Sequence, residues 1–123
     1  MKLLSALLIS LAMLGAACGS TEPATAHDCA EAYFKAQVAF DVDRMIELTA
    51  EASREQARKQ IEDQLKAKRD KIERMVITIT GERVEGERTI ISFHHITFFK
   101  DGKRAEYDAE RQLVKEDGKW RVL

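Results

Sequence analysis

The hydrophobic pattern changes its period at Met75, and this change is the strongest constraint on the fold. Before Met75, apolar residues recur at the spacing of helices, and after it they alternate with polar residues, as in β-strands. Three turn signals separate four apolar runs in the second part: Glu85-Gly86, Asp101-Gly102 and Asp117-Gly118. The sequence therefore predicts an α+β domain, in which N-terminal helices cover a four-stranded antiparallel sheet.

Three helices are predicted before the sheet. The first begins at Asp28, because Asp28 and Glu31 have the spacing of a capping box, and a short second helix begins after Asp41. The third helix begins at Ser53. Its apolar stripe is narrow and charged residues surround it, so we expect most of this helix to face water.

The adjacent histidines His94 and His95 lie in the second predicted strand. Side chains alternate across a strand, so the two histidines cannot bind one metal ion together. If each hairpin loop has two residues, His94 faces Ala109 on the side covered by helices, and His95 faces Asp108 on the opposite side. This register predicts that His95 and Asp108 form a polar pair at a partly solvated surface.

The order of these elements resembles a known superfamily. The segments AEAYFKAQVAFDVDRMIEL and KEDGKWRVL are similar to the opening helices and closing hairpin of nuclear transport factor 2-like proteins, which have the cystatin-like fold. The similarity is greatest to a domain of unknown function in small bacterial lipoproteins. It covers residues 28–123, and it departs at AFD (residues 39–41), where members often carry a glycine. The resemblance implies a curved, cone-shaped sheet with a pocket between sheet and helices.

Five residues could line the pocket that this resemblance implies: Tyr33, Ser92, His94, Tyr107 and Arg111. The expected ligand is a small anionic or apolar molecule. A buried arginine needs a partner, so Arg111 could hold the carboxylate or phosphate of an anionic one. Enzymes of the superfamily place acids, tyrosines or histidines there, but the covered face has no Asp or Glu in the predicted register. We therefore expect a non-enzymatic ligand-binding or scaffold module without cofactor or metal, with an isomerase-like or dehydratase-like enzyme as the alternative.

The opposite face of the predicted sheet is unusually apolar. It carries Val76, Ile91, Phe93 and Phe99, and exposed aromatic side chains on a sheet generally require a cover. One hypothesis is a homodimer in which two subunits pack these faces together. The alternative is that the sheet curls or that the third helix folds over them.

The N-terminal segment MKLLSALLISLAMLGAAC has the pattern of a secretory signal, with Lys2 before an uncharged apolar run that is too short to span a membrane. LGAAC resembles the lipobox of bacterial lipoproteins, which implies a signal peptide at residues 1–17 and a lipid on Cys18. ATA at residues 24–26 offers an alternative cut after Ala26. Gly19 resembles the sorting signal for the outer membrane, so we expect anchoring there, facing the periplasm, if the cell is Gram-negative.

Residues 18–27 are then a lipidated N-terminus and tether before a domain at residues 28–123. A flexible tether from Gly19 to His27 would hold the domain on average about 17 Å from the membrane. Cys29 is expected to pack as a small apolar residue, with a Cys18–Cys29 disulfide as the alternative. The formal net charge of −1 indicates no nucleic-acid partner, and cysteine and histidine spacings exclude a structural zinc site.

Overall fold

The computed structural model of the protein describes residues 22–123. Its helices are α1 (Ala26–Val38), α2 (Val42–Glu47) and α3 (Arg54–Lys68), with short 3-10 turns at Glu51–Ser53 and Arg69–Lys71. Its strands are β1 (Ile72–Glu85), β2 (Arg88–Phe99), β3 (Arg104–Glu116) and β4 (Lys119–Val122). The strands form one curved antiparallel sheet in the order β1-β2-β3-β4, so the predicted fold class is confirmed.

The predicted signal peptide at residues 1–17 and the predicted lipid site Cys18 lie outside the described residues. Between residues 22 and 123, no helix combines the length and the apolar character needed to cross a membrane.

Helix α1 begins earlier than the capping pattern predicted. Thr25 is its N-cap, and its side-chain hydroxyl accepts a hydrogen bond from the Asp28 amide at 3.0 Å. Asp28 therefore lies in the first turn, where its negative charge is favoured by the helix dipole. The face of α1 that contains Cys29, Tyr33 and Phe34 is buried.

Helix α1 ends in a backbone conformation that normally favours glycine. Phe40 has a φ of 57°, its amide donates to the Gln37 carbonyl, and the Asp41 amide donates to the Ala36 carbonyl at 2.8 Å. These two bonds form a Schellman motif, in which the residue after the C-cap is usually glycine. The place where the sequence departs from the resembled proteins is thus a left-handed residue that carries an aromatic side chain.

The segment after α2 closes one edge of the sheet. Asp41 caps α2, as predicted, by accepting a hydrogen bond from the Arg44 amide at 3.1 Å. The backbone from Leu48 to Ala50 then pairs in parallel with Val122 of β4, through hydrogen bonds of 2.7 Å. Helix α3 follows and has no buried residue, which confirms that most of it faces water.

The core lies between α1 and the concave face of the sheet. Leu48, Ile91, Leu113 and Cys29 are its largest fully buried side chains. Cys29 is a free thiol whose pKa is raised by burial to about 11, so it packs as an apolar residue, as predicted.

The register of β2 differs from the predicted one on both sides. At the β2–β3 turn, Phe99 pairs with Lys103, so the loop has three residues, Lys100 to Gly102, instead of two. At the β1–β2 turn, the loop has two residues as predicted, but they are Gly86 and Glu87 instead of Glu85 and Gly86, and Glu85 pairs with Arg88. A β-bulge between Ile79 and Gly81 then shifts the pairing by one residue. A shift of one residue turns every side chain to the other face. The odd-numbered residues of β2 therefore face the helices, and the predicted assignment of its faces is wrong.

Candidate functional site

A cavity of about 230 Å³ lies between α1, α3 and the concave face of the sheet. This volume is slightly below the usual range of small-molecule sites, so it suits a small ligand. Apolar side chains form much of its wall, and Asp and Glu are absent from the lining. Its polar lining residues come from α1, from α3 and from the neighbouring strands β2 and β3: Tyr33, Gln37, Gln64, Lys68, His95, Thr97, Tyr107 and Arg111.

Arg111 brings a permanent positive charge to the cavity. Its guanidinium carbon lies 5.2 Å from the centre of the Tyr33 ring, which is a cation–π distance. Its Nε is buried and has no hydrogen-bond partner among the described residues. Burial raises the pKa of Tyr33, and the charge of Arg111 partly opposes this effect. Arg111 thus lines the cavity and has a buried donor without an acceptor among the described residues.

Gln37 also lines the cavity and has a second unsatisfied side-chain atom. It lies one helical turn after Tyr33 on α1, and its side-chain Oε1 is buried without a donor among the described residues. Buried polar atoms are nearly always hydrogen-bonded in folded proteins, because leaving one unpaired costs about 1–3 kcal/mol. Two residues that line the cavity therefore have one unpaired donor and one unpaired acceptor between them.

His95 lies on the strand wall of the cavity and is only 4% exposed. Its Nδ1 lies 2.9 Å from the Tyr107 hydroxyl and its Nε2 lies 3.1 Å from the Thr97 hydroxyl. Burial lowers the pKa of His95, and the charges of Arg111 and His94 lower it further. The imidazole is therefore neutral at neutral pH, with one ring nitrogen donating and the other accepting.

His94 lies on the opposite, outer face of the sheet. Its Nδ1 is 2.8 Å from Asp108 and its Nε2 is 2.8 Å from Glu106. Hydrogen bonds to Asp108 and then Glu106 raise the pKa of His94, so the protonated imidazolium is favoured. The polar partner of Asp108 is thus His94, and the predicted His95–Asp108 pair is wrong.

Three of the five predicted pocket residues line the cavity: Tyr33, Tyr107 and Arg111. Ser92 and His94 do not, since they are even-numbered residues of β2 and pair with Glu110 and Asp108 on the outer face. The sequence analysis assigned His95 to the wrong face. A signal for the correct register was present in Asp101-Gly102, because glycine at the third position of a three-residue loop is a common alternative to the two-residue turn.

The residues predicted for a dimer face do not share one face. Ile91 and Phe93 are buried in the core, and the Phe93 ring lies 4.7 Å from the Phe34 ring. Phe99 lines the cavity, and only Val76 is exposed on the outer face. Self-association stays a prediction, but these four residues do not form its interface.

One group of described residues has donor atoms arranged as in a metal site. His27, Asp28 and Glu31 have ligand atoms within 4.8 Å of one another on the first turns of α1. The group is solvent-exposed and supplies no residue to the cavity. Exposed clusters of this kind are common without an ion, and the group has no structural connection to the candidate site.

Comparison with solved structures identifies the fold. A SEC-C motif containing protein from Rhodopseudomonas palustris has 15% sequence identity and a TM-score of 0.68, covering 88% of this chain and 82% of its own. A cystatin fold protein from Novosphingobium aromaticivorans has 16% identity and a TM-score of 0.58, covering 80% and 95%. A nuclear transport factor 2-like design has 14% identity and a TM-score of 0.57, covering 75% and 86%.

No family model and no curated protein matches the sequence. The structural similarity at low sequence identity is consistent with the order of elements and with the cavity between helices and sheet. The chain has the cystatin-like fold of nuclear transport factor 2-like proteins.

Proposed function

We propose that the protein is an envelope lipoprotein whose domain binds a small organic anion in the cavity without catalysing a reaction. The observation that carries this proposal is that two residues lining the cavity, Arg111 and Gln37, each have a buried side-chain atom, Nε and Oε1, without a hydrogen-bond partner among the described residues. A carboxylate would accept a hydrogen bond from Arg111, and a hydroxyl or amide group of the same molecule would donate to Gln37. The apolar remainder of the wall would hold a short hydrocarbon or aromatic part.

The backbone conformation of Phe40 supports a role for the cavity. A residue other than glycine destabilises the fold by about 1 kcal/mol when its φ is positive, and glycine does not. The Phe40 side chain nevertheless forms part of the cavity wall. Strained residues of this kind are frequent at ligand sites.

The N-terminal contacts support processing at Cys18 over the alternative cut after Ala26. A cut after Ala26 would remove Thr25, which caps α1, and Glu22, whose carboxylate pairs with Arg121 at 2.9 Å. Loss of Glu22 would leave the side chain of Arg121, only 8% exposed, without its carboxylate partner, and only the hydrogen bond to the Trp120 carbonyl would remain. The proposed location is therefore the lipid-anchored one, at the outer membrane and facing the periplasm if the cell is Gram-negative.

Binding can be tested with benzoate and its neutral analogue benzamide, by calorimetric titration of the domain. We expect benzoate to bind more tightly than benzamide, and Arg111→Gln to abolish this preference. Arg88→Gln is the matched control, because Arg88 lies on the outer face and bonds Gln112. Native mass spectrometry of protein from cells should also show a co-purifying small acid. Equal binding of the two probes, or loss of the preference in both variants, contradicts an anion site at Arg111.

Anchoring can be tested by fractionating cells. The wild-type protein should be in the membrane pellet, and Cys18→Ala should be soluble or remain uncleaved, because buried acyl chains contribute about 0.8 kcal/mol for each methylene group. A soluble wild-type protein whose mature chain begins at His27 would overturn the lipoprotein proposal.

A second candidate function is proton transfer in the same cavity. The observation that favours it is the neutral imidazole of His95 beside the Tyr107 hydroxyl, a base next to a hydrogen-bond donor. Deuterium exchange into the methyl group of pyruvate, followed by NMR, tests this activity. Exchange that is faster with protein and is lost in His95→Gln would favour the enzyme over the binding protein.

A further inference from the structure

The first described residues are bound to the domain and do not form a free tether. Glu22 Oε1 and Oε2 accept hydrogen bonds from the two terminal nitrogens of Arg121, at 2.9 and 3.1 Å. Two parallel hydrogen bonds between one carboxylate and one guanidinium fix the relative orientation of the two groups. The chain is therefore fixed to β4 at Glu22, although the sequence predicted a tether that continues to His27.

A second set of contacts fixes the same segment. Ala24, Thr25 and His27 line a shallow cleft together with Thr89 at the start of β2 and Trp120 of β4. Thr25 also caps α1. These contacts place the attachment point at the end of the domain that contains the N-terminus of α1 and the turns after β1 and β3. We call this end the anchor end.

The connection from the lipid site to the anchor end is short. Only residues 19–21 separate Cys18 from Glu22. Four peptide steps span at most about 14 Å when fully extended. The headgroup region of one leaflet is about 5–8 Å thick, so a domain attached through Cys18 has its anchor end within about 10 Å of the membrane surface.

The cavity lies toward the other end of the domain. Gln37 and Phe40, at the C-terminal end of α1, line it, as do Phe99 and Ala105 on either side of the β2–β3 turn. Helix α1 has 13 residues, so its two ends are about 20 Å apart. Lys68 and Tyr107, two of the exposed residues that line the cavity, are on this far side.

We propose, on the basis of the lipid anchor at Cys18, that the anchor end lies against the bilayer and the cavity opens away from it. The ligand is then a small anion taken from the aqueous phase and not a lipid taken from the membrane. The β1–β2 hairpin at the anchor end is mostly charged, but it also carries Val84, an apolar side chain that is 73% exposed and available for contact with the bilayer. The small cavity volume agrees with a soluble ligand, because a diacyl lipid would not fit into about 230 Å³.

The orientation can be tested without relying on lipidation in cells. A protein that begins at Cys18 is coupled through this cysteine to a maleimide lipid in phosphatidylcholine vesicles, while Cys29 is buried and does not react. Hydrogen exchange is then compared between coupled and free protein. We expect slower exchange at the turns around Gly86 and Gly118 after coupling, and unchanged exchange at the Lys100 to Lys103 turn. Slowing at the β2–β3 turn, or no difference at any turn, would overturn the proposal.

Three further measurements sharpen this test. Glu22→Gln should weaken the protection around Gly86 and Gly118, whereas Glu31→Gln, on the exposed side of α1, should not. Benzoate should bind the coupled and free proteins equally, because the cavity mouth stays in water. Tighter binding of oleate from the vesicle than of benzoate from solution would show a membrane ligand and contradict the proposal. If the orientation is confirmed but Cys18→Ala leaves the cellular protein in the membrane, the anchor proposal fails and the geometry stands.

Discussion

The two faces of β2 place neighbouring residues of the same type in opposite environments. His95, on the concave face, is buried, has a lowered pKa and bonds two hydroxyl groups. His94, on the outer face, lies between two carboxylates and has a raised pKa. The concave face thus selects the neutral imidazole and the outer face selects the charged one. The chemistry of a histidine here is decided by which side of the sheet it faces, and the sequence of the pair does not reveal that side.

The largest expected difference between the two faces is in the free energy of unfolding that is lost when a phenylalanine is removed from each. Phe93 packs against Phe34 in the core, so Phe93→Ala should lower the free energy of unfolding by about 3–5 kcal/mol. Phe98 lies on the outer face under the guanidinium of Arg74, at 3.9 Å, and Phe98→Ala should cost only about 1 kcal/mol. Urea unfolding of both variants measures the difference. Equal losses would show that the outer face is also covered.

The histidines should show a smaller difference in the same direction. His95→Ala removes buried contacts and leaves the Tyr107 and Thr97 hydroxyls without a partner, at a cost of about 1–3 kcal/mol. His94→Ala removes solvent-accessible pairs with Asp108 and Glu106, so the melting temperature should change little. This order is the reverse of what the predicted register required. Thermal melts of the two variants decide between the registers, and a greater loss for His94 would restore the predicted one.

The smallest expected effect is a difference in how the stabilisation by each histidine depends on pH. The pKa of His94 is raised, so its stabilisation is complete below the unfolded value of about 6.5 and is lost as pH rises through the folded pKa. The pKa of His95 is lowered, so its stabilisation is present above about 6.5 and is lost as pH falls through the folded pKa. In urea titrations, the loss caused by His94→Gln should shrink as pH rises, and that caused by His95→Gln should grow. Parallel curves would contradict opposite protonation of the two rings.

The fold was predictable because it depends on patterns that many residues share. The change of period at Met75 and the glycine turns were sufficient to predict helices followed by a meander. The register depended on single residues and was not predictable. Asp117 has a φ of 52°, so Asp117-Gly118 forms a two-residue turn and the predicted β3–β4 register is correct. In Asp101-Gly102, only the glycine has positive φ, and Asp101 accepts a hydrogen bond from the Lys103 amide, which produces the longer loop.

The same distinction explains which site residues were found. Tyr107 and Arg111 lie on β3, whose predicted face is correct, and Tyr33 lies on the buried stripe of α1. His95 was assigned to the wrong face because both faces of β2 are similarly apolar, so hydrophobicity could not identify the buried one. Nothing in the sequence identified Gln37 as a site residue. Its importance comes from an oxygen atom left without a donor, which only the folded structure shows.

Strand β4 has consequences for when the chain can fold. It has four residues, yet it joins parts of the chain that are far from it in sequence. Val122 pairs with the segment from Leu48 to Ala50, the Trp120 carbonyl accepts from the Cys29 thiol 91 residues away, and Arg121 holds Glu22 99 residues away. Contacts at such separations form slowly and require both partners to have been synthesised. The nascent chain therefore cannot close this edge of its sheet until β4 has left the ribosome.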